Sequence, residues 1–262
     1  MNRETVLVTG ASSGIGLELA KCFAADGCAL VLVARNTFAL QSLADELRRI
    51  HRAETRVLTV DLAVPETPQR IFSELQSAAT TVDVLVNNAG FGAHGEFATL
   101  PLERQLEMIQ VNVTALTRLT RLFLPGMIER RRGGVLNVAS TAAFQPGPGM
   151  AVYYATKAFV LSFSEAIAEE LVGAGVTVTA LCPGPTKTNF GSVASFRGSH
   201  SFWRLAQSAE TVARFGHRAF RRGRFVAIPG FHNRLLALTA SLLPRALVRK
   251  AVKSINAART PD

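Results

Sequence analysis

Seven short apolar runs constrain this chain more than any other feature: "TVLVTG", "ALVLVAR", "TRVLTVD", "VDVLVNNAG", "GGVLNVAS", "VTVTALCPG" and "RFVAIPG". They are rich in Val and Leu and bounded by Gly, Asn, Asp or Pro. A strand that is apolar on both faces needs cover on both faces, the condition inside a parallel sheet. Between the runs lie segments of helical period, at 14–26, 38–53, 66–79, 102–131, 151–173 and 208–222. Strand and helix alternate at the spacing of βαβ units, which predicts a doubly wound α/β fold. The expected sheet is mostly parallel and seven-stranded, with helices on both faces and right-handed crossovers.

With 48% hydrophobic and 18% charged residues over 262 positions, the chain can bury a core without disulfide staples. Cys22, Cys28 and Cys182 sit in apolar segments and lack metal-ligand spacing, so they read as buried thiols and no metal is expected. The N-terminus enters a strand pattern at once, and no run of about 18 apolar residues occurs, so a cytoplasmic protein is expected. No linker or repeat divides the chain. The longest stretch without period, 184–207, follows a strand's C-terminal end and is expected to form a lid-like substrate loop. Residues 1–199 carry 17 basic and 17 acidic side chains, whereas 200–262 carry 12 and 2. The net charge of +10 therefore resides in the last quarter of the chain.

"VLVTGASSGIGLELA" sets Gly10, Gly14 and Gly16 between the first strand and the first helix, with Ser12, Ser13 and Ile15 among them. A tight turn lets the backbone approach a pyrophosphate. The helix beyond it offers free N–H groups and the positive end of its dipole. Ser12 and Ser13 add hydroxyl donors. The GxxxGxG spacing on a strand-turn-helix points to dinucleotide binding, and so to a fold of Rossmann type. The second run ends at Ala34-Arg35-Asn36. An acidic residue there would accept from a ribose 2′-hydroxyl. Arg35 instead offers a planar, permanent cation suited to a 2′-phosphate, so NADP(H) is the expected cofactor.

Both tyrosines of the chain are adjacent, Tyr153 and Tyr154, with Lys157 one helical turn on. Spacing does not choose between them, since both share a helix face with the lysine. A free phenol, with a pKa of about 10, is a poor base at neutral pH. A nearby ammonium is expected to lower that value and make the phenol a general acid or base.

The chain resembles the short-chain dehydrogenase/reductase family. The resemblance is carried by "TGASSGIG" at 9–16, "DL" at 61–62, "NNAG" at 87–90, Asn112, Ser140, "YYATK" at 153–157 and "PGPTKT" at 183–188, over roughly residues 4–230. It implies that residues 1–230 form a single Rossmann-type catalytic domain interconverting a carbonyl and a secondary alcohol. The family's Tyr-x-x-x-Lys pattern selects Tyr153 with Lys157 and leaves Tyr154 at a variable position. Tyr153 and Ser140 would hold the substrate oxygen, with Tyr153 delivering the proton. Lys157 would lower the Tyr153 pKa and hold the nicotinamide ribose. Asn112 would kink its helix and anchor a water leading to Lys157. Asp61 and Leu62 would flank the adenine, and Asn88, Ala89 and Gly90 would line the cofactor groove. Pro183 and Gly184 would pass the nicotinamide, while Thr186 and Thr188 would bond its carboxamide or the phosphates. A homo-oligomer and a small-molecule carbonyl or alcohol substrate are also implied.

Residues 231–262 read as a basic-apolar helical extension broken at Pro244. Docking on a partner subunit, lying on an anionic membrane and attracting an anionic substrate compete with an ordinary solvated basic face. No nucleic-acid reading motif is present. Phe190, Phe196, Phe202 and Trp203 in the substrate loop suit an apolar substrate portion, or else pack the loop onto the body. The tail and "PGPTKTNF" are similar to a family branch that includes fatty-ketoacyl reductases, a resemblance that implies a lipophilic substrate such as a 3-oxoacyl thioester. The alternatives from other classes are a non-catalytic NADP(H)-sensing protein and a membrane-surface interaction protein.

Overall fold

Val6, Leu7 and Val8 of β1 (Thr5–Thr9) are fully buried because alternate residues feed two different cores. Val6 and Val8 join one core with α1 (Gly14–Ala25) and α2 (Thr37–His51). Leu7 joins the other, with α3 (Thr67–Ser77). The computed structural model describes residues 3–188, 190 and 206–257. Its sheet continues with β2 (Ala29–Ala34), β3 (Thr55–Thr59), β4 (Val84–Asn87), β5 (Gly133–Val138) and β6 (Val176–Leu181). Two short strands, β7 (Thr186–Lys187) and β8 (Gln207–Ser208), pair separately, and β9 (Val226–Ala227) completes the main sheet. All seven expected apolar runs are strands of that sheet, whose order is β3-β2-β1-β4-β5-β6-β9, parallel throughout.

This order places a reversal between β1 and β4. The chain moves outward from β1 to β3, then returns to β4 on the other side. Connections leave the two strands in opposite directions, opening a crevice at their C-terminal ends. Thr9 laces that crevice shut from below. Its Oγ1 accepts from Asn88 N and Ala89 N, each at 3.0 Å, and donates to Val86 O at 3.2 Å.

The helical period at 102–131 resolves into three pieces: α4 (Leu102–Ile109), a π-helical turn (Gln110–Ala115) and α5 (Leu116–Glu129). The widened turn carries Asn112, whose amide bonds to Phe91 and Thr156 of neighbouring elements, and such bulges are frequent at functional sites. After β5, a 3-10 turn (Thr141–Phe144) leads to α6 (Ala151–Glu170). Then follow α7 (Ala209–Arg221), α8 (Phe231–Leu242) and α9 (Arg245–Ala257). β7 and β8 stand at the two ends of the expected substrate loop, whose residues 191–205, with Phe196, Phe202 and Trp203, lie outside the described residues.

Asn36 starts α2 by accepting from Ala39 N at 3.0 Å, satisfying one otherwise orphan donor of the first turn. Asn36→Ala should lower the unfolding free energy by about 1 kcal/mol. Urea melts of the two proteins would show a lower midpoint at unchanged slope; an unchanged midpoint would deny the cap that role.

Candidate active site

A single cavity of about 1140 Å³ occupies the crevice. It is lined by every expected catalytic and cofactor-binding residue except Gly16 and Asn112. Those two lie just behind its wall. A Cβ on Gly16 would fall 2.3 Å from Asn88 Nδ2 and 2.4 Å from Gly10 O, so only glycine lets α1 approach so closely. Gly10 has φ +64°, a left-handed conformation that glycine adopts without strain. Ser13 begins α1 in extended conformation and its side chain makes no capping bond. Ser12, Ser13, Gly14 and Ile15 line the cavity, so two hydroxyls and the first turn of α1 border it, a donor set that fits a pyrophosphate.

At the far end of the same wall, Arg35 is two-thirds exposed. Its Nη1 lies 3.7 Å from Asp61 Oδ2 and 4.0 Å from Glu107 Oε1. Neighbours in sequence showed no acid near Arg35; the fold brings two. At this exposure such pairs hold the guanidinium loosely and do not neutralise it.

The chemical end of the cavity is built by β5 and α6. On α6, Tyr153, Thr156, Lys157, Val160, Leu161 and Ser164 form the buried stripe, at the spacing of one helix face. Tyr153 is 9% exposed and its hydroxyl neighbours that of Ser140, just past β5, closely enough to favour the phenolate. Ser140 Oγ also accepts from Ala142 N at 3.1 Å, which fixes its direction. Tyr154 points elsewhere on the wall, with its ring lying over Gly147 and edge-on to Tyr153 at 6.1 Å. Phe190 packs on the other side of Tyr153 at 5.2 Å.

Lys157 Nζ donates to Val138 O at 2.7 Å and lies 6.0 Å from the Tyr153 ring centre. Burial holds its pKa down at about 8, partly opposed by Cys182. Burial also pushes the Tyr153 phenol above its ordinary value; the Ser140 hydroxyl pulls the other way and Tyr154 adds to the rise. The lowering expected from Lys157 together with a positively charged nicotinamide therefore has to work against the desolvation of this buried phenol.

Asn112 Oδ1 accepts from Phe91 N at 3.1 Å, and its Nδ2 donates to Phe91 O at 2.9 Å and to Thr156 Oγ1 at 3.1 Å. Thr156 Oγ1 in turn donates to Tyr153 O at 2.7 Å. Asn112 therefore ties the π turn to the loop after β4 and to the turn of α6 that carries Tyr153. Gly90 sits between Asn112 and Lys157: a Cβ there would lie 2.9 Å from Asn112 Oδ1 and 3.5 Å from Lys157 Nζ.

Residues from the C-terminal helices complete the cavity. Asn233, Leu236 and Ala237 of α8 and Val252 and Ile255 of α9 line it. Asn233 lies so close to Gly184 that a Cβ on the glycine would fall 2.2 Å from its Oδ1. These positions were not legible in the sequence, because nothing in a Leu-rich basic segment indicates which residue meets a glycine fifty positions earlier.

A parallel sheet with a glycine loop at its reversal point, and a buried Ser-Tyr-Lys group facing that loop, defines a dinucleotide-binding α/β protein. A model of the short chain dehydrogenase family matches residues 4–195, and the chain belongs to that family. A short chain dehydrogenase of Pseudocercospora fijiensis is 36% identical over 191 residues, 72% of this chain and 62% of that protein. The very-long-chain 3-oxoacyl-CoA reductase of Bos taurus is 35% identical over 184 residues, 69% of this chain and 58% of the reductase. The chain thus spans about three-fifths of the length of these curated relatives. Among solved structures, a short-chain dehydrogenase from Sphingobium yanoikuyae in complex with NADPH superposes with a TM-score of 0.82 at 34% identity, covering 91% of this chain and 93% of that one.

Proposed function

We propose that the protein is an NADP(H)-dependent oxidoreductase that reduces a carbonyl to a secondary alcohol, or the reverse, on a lipophilic substrate such as a 3-oxoacyl thioester. The observation that carries this reading is the Tyr153–Ser140 hydroxyl pair, buried in the cavity that also holds the glycine loop. The cavity's fit to a dinucleotide rests on the Gly10–Gly16 cradle, Ser12, Ser13 and Asn88, with Lys157 and the Pro183–Thr188 segment at the nicotinamide end. When bound, a reduced nicotinamide supplies the hydride for the carbonyl carbon. The Tyr153 and Ser140 hydroxyls donate to the carbonyl oxygen and so favour the charge that develops there. Tyr153 then releases its proton to that oxygen, completing the alcohol. Lys157 holds its own proton on the Val138 side of Tyr153 and favours the phenolate left behind. Asn112 and Thr156 act as positioning residues, since they fix the turn of α6 and touch no reacting atom.

The substrate class is supported by the 3-oxoacyl-CoA reductase among the relatives and by apolar wall residues such as Phe190, Met150 and Leu236. Assembly with further copies of the chain belongs to the same reading. NADPH oxidation should be followed against ketones and 3-oxoacyl thioesters of increasing chain length. Turnover rising with acyl length is expected; NADPH binding with no turnover on any of them would favour a cofactor-sensing protein.

The choice of NADP(H) rests on Arg35. Arg35→Ala removes the cation and leaves Asp61 and Glu107 facing the 2′-phosphate. NADPH binding should weaken about 10- to 100-fold, the loss of one charge-assisted pair, while NADH binding changes little. Fluorescence titration with both nucleotides decides it, and equal weakening would sink the assignment.

A further inference from the structure

The helix pair α8 and α9 has two dissimilar sides. Asn233, Leu236 and Ala237 of α8 face the cavity. Phe231, Leu235, Leu238 and Leu242 recur at i, i+4, i+7 and i+11 and form a stripe on the opposite side of the helix. All four are exposed, at 75%, 48%, 57% and 75%. Such a stripe ordinarily turns inward, yet Ala237 is the buried residue of this helix. Leu243 and Leu247 carry the apolar surface through the turn into α9. A contiguous exposed apolar face of this kind marks an interaction surface.

Charge identifies the occupant. Residues 231–257 contain Arg234, Arg245, Arg249, Lys250 and Lys253 and no Asp or Glu, and all five cations are exposed. A twofold contact with a second copy through this face would set the same cations against one another. An anionic lipid surface meets both features: leucines enter the acyl boundary while the cations meet headgroups. Among the described residues no helix is long and apolar enough to cross a membrane, so the element lies on the surface. We propose that α8–α9 is an interfacial element that seats the protein on an anionic lipid surface. Leu236 and Ile255 line the cavity and are themselves 61% and 52% exposed, so the rim of the site adjoins the docked face. The proposal does not depend on which carbonyl is reduced.

The test is sedimentation of the full chain with vesicles of phosphatidylcholine alone and of phosphatidylcholine mixed with phosphatidylglycerol. The protein should pellet with the mixed vesicles, stay in solution with the neutral ones, and be released as salt rises. Leu235→Ser with Leu238→Ser, and separately Arg249→Glu with Lys253→Glu, should each leave it in solution. Both variants should bind NADPH like the parent, since none of these four residues lines the cavity. If the leucine variant loses NADPH binding, Leu242→Ser at the exposed end of α8 carries the same test. Failure of the parent to pellet with mixed vesicles, or pelleting of both variants, overturns the proposal. A lipid-free dimer that the leucine variant dissociates, without vesicle binding, would assign the stripe to a second copy instead.

Discussion

Tyr153→Phe should reduce NADPH-dependent carbonyl reduction by about 10²- to 10⁴-fold, the range for loss of one positioned general acid. The substitution removes one oxygen and keeps the ring. Its packing between Phe190 and Tyr154 survives, and so should the fold and dinucleotide binding. What disappears is the hydroxyl that, in the proposed mechanism, donates with Ser140 to the substrate oxygen. Single-turnover rates with saturating NADPH, alongside a fluorescence titration of NADPH, separate the two effects. Retention of most of the rate would place the proton donor elsewhere. The same experiment on Tyr154→Phe should leave the rate nearly intact, since that ring lies over Gly147 and Ser140 neighbours the Tyr153 hydroxyl.

Lys157→Met should separate function from stability. Turnover should fall by an amount similar to Tyr153→Phe, because the cation that favours the phenolate is lost. Stability should respond to pH in the opposite sense to an ordinary surface ion pair. Burial depresses the Lys157 pKa to about 8, against 10.5 as the reference value. Between those values the unfolded chain holds a proton that the native chain does not, so native stability rises with pH across that window. Below about pH 8 both states are protonated and the full desolvation cost, about 3 kcal/mol, is present. Methionine removes that cost but leaves Val138 O without its 2.7 Å donor, which costs about 1–3 kcal/mol. The two proteins should therefore have similar stability near pH 7, and the parent should become the more stable one toward pH 10. Urea melts at both pH values measure the difference. A gap that does not change with pH would mean that Lys157 keeps an ordinary affinity for its proton.

The interior of α6 shows how much of the site was legible beforehand. The i, i+4 spacing of Tyr153 and Lys157 is a local property, and the helix keeps it wherever it docks. The glycines at 10, 14 and 16 are equally local, because a turn that needs φ +64° at Gly10 and a close approach at Gly16 admits few other residues. The seven Val- and Leu-rich runs carry their own burial requirement, so the sheet was readable strand by strand. The single helical period at 102–131 concealed a π turn, because the cause lies in Phe91 and Thr156, distant partners of Asn112.

What the sequence by itself determined, then, is whatever depends on neighbours along the chain: strand and helix periods, the phosphate-binding turn, and the relative placement of serine, tyrosine and lysine. Tertiary structure decided the rest. It brought Ser140 beside Tyr153, the tyrosine that the Tyr-x-x-x-Lys pattern had singled out. It buried phenol and ammonium together, which sets a desolvation cost against the expected lowering of the Tyr153 pKa. It set Asp61 and Glu107 beside Arg35, and it turned a basic, leucine-rich tail into one wall of the cavity. The physical reason is the same in each case. Desolvation and Coulomb energies depend on distance through space, and residues far apart in a chain acquire that distance only when the sheet, its crossovers and the last two helices have packed.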